Sequence, residues 1–135
     1  MFTKPTIDAS QALLHDLPRW FATHRRDLPM RRDDVSDWGT LVFEIMSQQT
    51  PITRVQPIWI EWMQRWPTPA DLARASSADI IVAWANLGYP SRALRLKSCA
   101  ATIVAKHDGE VPLTMKELTL LPGVGTYTAS ALLAF

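Results

Sequence analysis

Proline and glycine interrupt this sequence so often that no helix in it can be long, while the stretches between them carry apolar residues at helical spacing. Ten prolines stand against five glycines, and no alternating apolar/polar run of useful length is present, so the expected fold is all-α, built of short helices with proline punctuation. The pattern predicts a first helix over about 8–24, with Leu13, Leu14, Leu17, Trp20 and Phe21 on one face and Pro18 as a kink point. After the loop RRDLPMRRDDVSD, a helix capped by Asp37 should carry Trp38, Leu41, Val42, Ile45 and Met46 and end at Thr50, ahead of Pro51. Pro51 suits the opening of the next helix, which runs through Trp59, Trp62 and Met63 to Trp66. Shorter helices are expected over about 70–74, capped by Thr68-Pro69, and from Ser77 or Asp79 to Leu87, ended by Gly88. A longer one follows from Pro90-Ser91 to about Lys106. The turn HDGEVP and a capping-box pattern, Thr114-Met-Lys-Glu117, come next, and LPGVGTYTASALLAF enters a last helix at about Gly125.

A chain of 135 residues, 47% hydrophobic, suffices for one modest domain. Fourteen basic against thirteen acidic residues leave a net charge of +1, which neither signals nor excludes nucleic acid. Placement says more: His24-Arg25-Arg26, Arg31-Arg32, and Arg92, Arg95 and Lys97 form basic clusters. These either follow a phosphate backbone or are solvated helix faces. The single cysteine, Cys99, excludes an intramolecular disulfide and a cysteine-ligated cluster or zinc site made by these residues alone. No segment is apolar enough to span a bilayer, and the N-terminus shows no export signature, so a reducing cytoplasmic setting is expected. The sequence stops inside an apolar helix at Phe135, which is expected to be a C-terminal truncation, the alternative being a terminal helix that packs back.

Three constellations carry chemistry. In Leu118-Thr-Leu-Leu-Pro-Gly-Val-Gly-Thr-Tyr-Thr-Ala129, a short helix, a proline-glycine hairpin and a second helix adjoin. Gly123 and Gly125 permit positive φ and uncovered amides at a positive helix end, which suits a DNA phosphate or else marks only a tight interhelical turn. In FEIMSQQTPITRV, Glu44 falls at the edge of the apolar stripe with Gln48 one turn on. A half-buried carboxyl there would have a raised pKa, as a general acid or base near neutrality needs; the plain alternative is a surface glutamate flanking the core. Gln48, Gln49 and Thr50 offer donors and acceptors of the kind that read base edges or fill the space of an extruded nucleotide. Leu87-Gly88-Tyr89 places an aromatic at a helix end beside Arg92 and Arg95, as a stacking ring on distorted DNA or as a core residue.

In order along the chain, RRDLPMR, FEIMSQQTPITRV, WPTPADLA, LGYPSRALRL, HDGEVP and LPGVGTYTASALLAF resemble the MutY-type adenine DNA glycosylases of the helix-hairpin-helix (HhH-GPD) superfamily, over nearly the whole chain from about Leu13. The resemblance implies an incomplete helix-hairpin-helix glycosylase domain. Its activity would be base-excision repair: hydrolysis of the N-glycosidic bond of adenine mispaired with guanine or 8-oxoguanine in double-stranded DNA. By motif match, Glu44 is the proton donor to adenine, and Gln49 and Tyr89 enter the base stack. Thr50 and Leu87 meet the oxidised guanine, and Arg26, Leu28, Arg31 and Ile52 surround the adenine pocket. Tyr127 stands where endonuclease III-like relatives have a Schiff-base lysine, so base removal without strand cleavage is expected. A monomer, associated with a bacterial nucleoid, is the expected setting.

The sequence also departs from the family pattern. Met30 replaces the tryptophan of L-P-W-R, Phe43 stands where serine is usual and Ser47 where leucine is usual. The family's catalytic aspartate, its four-cysteine [4Fe-4S] segment and its oxidised-guanine domain have no counterpart before Phe135, so these residues alone are expected to be inactive and to hold no metal. Two other readings remain: a non-catalytic DNA-binding relative, and a helical interaction module.

Overall fold

Trp38 through Met46 are all buried. They belong to helix α1 (Asp37–Met46), and a helix with almost no polar face is stable only when surrounded by other elements. The computed structural model describes residues 35–134, which are helical with no strand among them. After α1 come α2 (Ile52–Arg65), α3 (Pro69–Arg74), α4 (Ser77–Trp84), α5 (Ser91–Lys106), α6 (Met115–Leu118) and α7 (Thr126–Ala134). Helix α1 packs on α2, α5 and α7; α5 also receives α3 and α4, α2 meets α4, and α6 lies on α7. From Ser36 onward the chain forms one compact unit. The helix predicted over 8–24 lies outside the described residues.

Helix boundaries differ from expectation where a side chain competes for the cap. Ser36, not Asp37, caps α1: its Oγ accepts from Gly39 N at 3.0 Å, and Asp37 falls in the first turn, where its charge meets the positive helix end. Ser76 likewise caps α4, accepting from Asp79 N at 3.0 Å. Thr68 and Asp71 form a reciprocal capping box at α3, each side chain accepting from the other's backbone N–H at 3.2 Å. At α6, Thr114 Oγ1 accepts from Glu117 N at 3.2 Å and donates to Glu117 Oε1 at 3.0 Å. Pro57 sits inside α2, where it removes a helical hydrogen bond. The helix continues because Val55, Trp59 and Trp62 are buried and so hold it by tertiary packing.

Tryptophans fix the mutual placement of the first helices. The Trp62 ring meets Trp66 edge-on at 4.9 Å and Trp84 at 5.8 Å. A buried indole needs an acceptor, and three find a backbone carbonyl at short range: Trp59 Nε1 donates to Gly39 O at 2.8 Å, Trp62 Nε1 to Ala83 O at 2.9 Å, and Trp84 Nε1 to Gly88 O at 2.8 Å. These bonds tie α2 to α1, α2 to α4, and the end of α4 to the turn that follows it. Helix α4 stops at Trp84 rather than Leu87, since Ala85 turns the backbone left-handed at φ 54°.

Candidate nucleic-acid interface

Helix α5 begins beside the C-terminus of α1, and Arg92 in its first turn occupies the junction. The sequence suggests Arg92 as part of a phosphate-following cluster; instead it is 6% exposed. Its Nη1 donates to the carbonyls of Ile45 at 3.2 Å, Met46 at 3.1 Å and Gln48. Its Nη2 donates to Thr50 Oγ1 at 2.9 Å, Leu87 O at 3.2 Å and Gly88 O at 3.1 Å. The guanidinium therefore neutralises the negative end of α1, where carbonyls lack helical partners, and clasps the turn after α4 to the same point. It also lies 5.0 Å from the Trp84 ring centre and 5.8 Å from that of Tyr89. Burial pushes its pKa down from the ordinary arginine value, with Tyr89 acting in the opposite direction. Helical spacing could have disclosed this burial, because Arg92 continues the buried stripe of Leu96, Cys99, Ala100 and Ile103.

Two short turns meet at this arginine. Helix α1 ends at Met46 instead of continuing to Thr50, and Gln49 adopts φ 61°. On the other side Gly88 has φ 83° and Tyr89 φ 49°. Gln49 and Tyr89 are exposed, Tyr89 to 63%. Thr50 is buried between them and donates its hydroxyl to Leu87 O at 2.9 Å. Leu87 is buried and contributes its carbonyl to both Thr50 and Arg92. Ile52 is buried at the first position of α2.

Glu44 is more deeply placed than an edge-of-stripe residue, at 7% exposure within the enclosed α1. One turn on, half-buried Gln48 donates from Nε2 to Thr128 Oγ1 at 2.9 Å. Thr128 is buried on α7, the second helix of the hairpin. This bond couples the segment carrying Glu44 to the hairpin through Thr128, a residue that no sequence motif singles out. The apolar pair Ala129 and Leu132 beside it, both buried, marks the inward face of α7.

The hairpin between α6 and α7 is closed by local bonds: Leu121 N donates to Leu118 O at 3.0 Å and Val124 N to Leu121 O at 3.1 Å. Gly123 has φ +82°, which the turn requires of it, and a methyl group there would stand 3.4 Å from Arg95 Cβ. Gly125 differs from expectation: its φ is not left-handed, and a side chain would meet nothing within 4 Å. Its carbonyl accepts from Ala129 N at 3.0 Å, as the residue before α7 should. Among the described residues, the amides of Gly123 and Gly125 donate to no acceptor. Exposed Arg95 stands beside the turn, and Tyr127, 76% exposed, lies at the start of α7. Lys97, from the same basic cluster, instead donates to Ala75 O.

The structure therefore groups Glu44, Gln48, Gln49, Thr50, Ile52, Leu87 and Tyr89 around the α1–α2 and α4–α5 junctions, with Gly123, Gly125 and Tyr127 at the hairpin. Arg26, Leu28, Met30 and Arg31 lie outside the described residues. Phe43 is fully buried, and Ser47 Oγ is buried with no hydrogen-bond partner among the described residues. The chain's one thiol, Cys99, is wholly enclosed, so these residues do not fit a four-cysteine cluster. Burial pushes that thiol up to about 12. Because the unfolded thiol ionises first, stability from this group is complete below about pH 9 and is lost as pH rises towards 12. No helix among the described residues is long and apolar enough to cross a membrane.

Buried helices around a glycine hairpin, with a carboxylate enclosed on the central one, match a known class. The chain belongs to the HhH-GPD superfamily of base excision DNA repair proteins, whose model matches residues 42–132. It is 49% identical over 120 residues to the adenine DNA glycosylase of Mycolicibacterium smegmatis, covering 89% of this chain and 41% of that protein. To the human adenine DNA glycosylase it is 43% identical over 121 residues, covering 84% of this chain and 22% of the relative. The chain thus spans less than half the length of these curated relatives. A thermostable thymine-DNA glycosylase superposes with a TM-score of 0.76 at 25% identity, covering 94% of this chain and 58% of that structure. A non-covalent endonuclease III–DNA complex shares the fold, with a TM-score of 0.73 at 22% identity over 93% of this chain and 58% of that one.

Proposed function

We propose that these residues supply the proton donor and the DNA-holding turns of a monofunctional adenine DNA glycosylase, acting in base excision repair on adenine mispaired with guanine or 8-oxoguanine. The observation that carries the reading is the placement of Glu44. It lies 7% exposed on α1, one turn before the Gln48–Thr128 bond to the hairpin helix, so acid, stacking turns and phosphate hairpin share one scaffold.

In this scheme the adenine is flipped out of the duplex. Glu44, in its protonated form, donates to the ring. The bond from sugar C1′ to adenine N9 breaks with its electron pair leaving on the base, and water adds to C1′ and gives up a proton that restores the Glu44 carboxyl, leaving free adenine and an abasic site. Gln49 and Tyr89 enter the stack, Thr50 and Leu87 belong to the turns that face the oxidised guanine, and Arg26, Leu28, Arg31 and Ile52 belong to the adenine pocket. The amides at Gly123 and Gly125, with Arg95 beside them, suit a backbone phosphate. Tyr127 has no amine to form a Schiff base, consistent with base removal alone. Such a substrate would place the protein at the chromosome, in a bacterium the nucleoid.

Residues 118–135 contain no aspartate or glutamate, so the second carboxylate needed to stabilise the cationic sugar is not supplied after the hairpin by these residues. The 135 residues by themselves should accordingly bind duplex and release little or no adenine. In the intact protein, Glu44→Gln should lower single-turnover adenine release from an A:8-oxoguanine duplex by roughly 10³-fold while leaving duplex affinity unchanged. Release that survives the substitution would overturn the proposal.

A further inference from the structure

We propose that Arg92 is a positioning residue that sets both DNA-facing turns together, so that preference for a mispair over paired duplex passes through its buried guanidinium and not through a charge contact with the DNA backbone. The inference rests on the glycosylase reading above.

Arg92 donates to three carbonyls at the end of α1, to the Thr50 hydroxyl, and to Leu87 O and Gly88 O on the other turn. Thr50 closes the ring by donating to Leu87 O. Both turns present exposed residues in the left-handed region, Gln49 at φ 61° in the first and Ala85 at φ 54°, Gly88 at φ 83° and Tyr89 at φ 49° in the second. Side-chain-bearing residues hold that conformation only where their surroundings impose it. The segment 47–50 contains no glycine to relieve it, and the imposing group is the planar Nη1–Nη2 fork of Arg92, whose Nε is buried without a partner among the described residues. A lysine is a single point charge and cannot span both turns. At 6% exposure the guanidinium is turned inward and neutralises no phosphate, whereas Arg95, one helical turn along α5, is exposed beside the hairpin.

The test compares Arg92→Met, Arg92→Lys and Arg95→Met in the intact protein, with circular dichroism to confirm the helical fold. Amide hydrogen exchange is followed at 48–50 and 87–89, and binding to A:8-oxoguanine and fully paired duplexes is measured across salt concentrations per folded molecule. With either substitution at Arg92, exchange should rise in both turns together by about tenfold or more. Mispair preference should fall about tenfold and the salt slope should stay unchanged. Arg95→Met should instead lower the slope by about 0.9 and keep the preference. A lower salt slope in the Arg92 variants, full rescue by lysine, an unchanged preference, or exchange rising in one turn alone would overturn the proposal. If Arg92→Met fails to fold, Thr50→Val removes only the shared hydroxyl and should open both turns to a smaller degree; opening of one turn would again refute the clamp. If the unsubstituted protein shows no mispair preference, the glycosylase reading fails, and the clamp is decided by the exchange data alone.

Discussion

The paired turns at Arg92 and the hairpin between α6 and α7 both reverse the chain beside a helix end, yet only the paired turns are clasped by a side chain as well as by local bonds. In the hairpin, bonds span three residues, Leu121 N to Leu118 O and Val124 N to Leu121 O, and the one left-handed position is a glycine, Gly123. In the paired turns, left-handed conformations fall on Ala85, Gln49 and Tyr89 as well as on Gly88. Local bonds run there too, Gln48 N to Ile45 O and Leu87 N to Trp84 O. What joins the two turns is the Arg92 side chain, 47 positions from Ile45 in the first and five from Leu87 in the second. A turn written in its own residues tolerates change elsewhere. A turn imposed through tertiary contact depends on the side chain that imposes it.

Substitutions should separate the two regimes in order of size. Arg92→Met leaves the carbonyls of both turns without their buried donor, and should cost about 3 kcal/mol in urea unfolding. A loss near zero would mean the turns keep themselves. Gly123→Ala forces an alanine to φ +82° with Arg95 Cβ 3.4 Å away, and should cost roughly 1–2 kcal/mol. If the paired turns are strained as described, Gln49→Gly should raise the free energy of urea unfolding by about 1 kcal/mol, although it removes a side chain assigned to the DNA stack. Destabilisation by this glycine would show that Gln49 is held by contacts of its own. Gly125→Ala, with no left-handed φ and open space around the new methyl, should change stability by less than about 0.5 kcal/mol. It should nevertheless weaken duplex binding if close approach of a phosphate matters there.

Helix positions were legible because their signals are local. The apolar stripe of α1, proline at the head of α2 and α3 and the proline-glycine hairpin all act within a few residues. Misplaced helix starts came from competition between neighbouring caps, as when Ser36 took the role expected of Asp37, whereas α1 and α4 end early, at Met46 and Trp84, where the chain enters the paired turns. Arg92 was misread for a different reason. Composition treats an arginine as surface charge, and only its spacing with Leu96, Cys99 and Ile103 hinted at burial. Glu44 was placed at a stripe edge by its angular position alone, whereas its burial depends on what packs around that side of α1.

The sequence by itself determined the helices of the described residues, their order and the glycine hairpin, because helix periodicity, caps and turn residues are short-range physics repeated along the chain. Membership of a glycosylase family was legible in its ordered motifs. Only the tertiary structure decided that Glu44 is enclosed, that Gln48 reaches Thr128, and that Arg92 joins two turns from within. Those facts depend on which groups far apart in sequence meet as water is excluded. A buried donor or acceptor must then find whatever partner the packing brings to it.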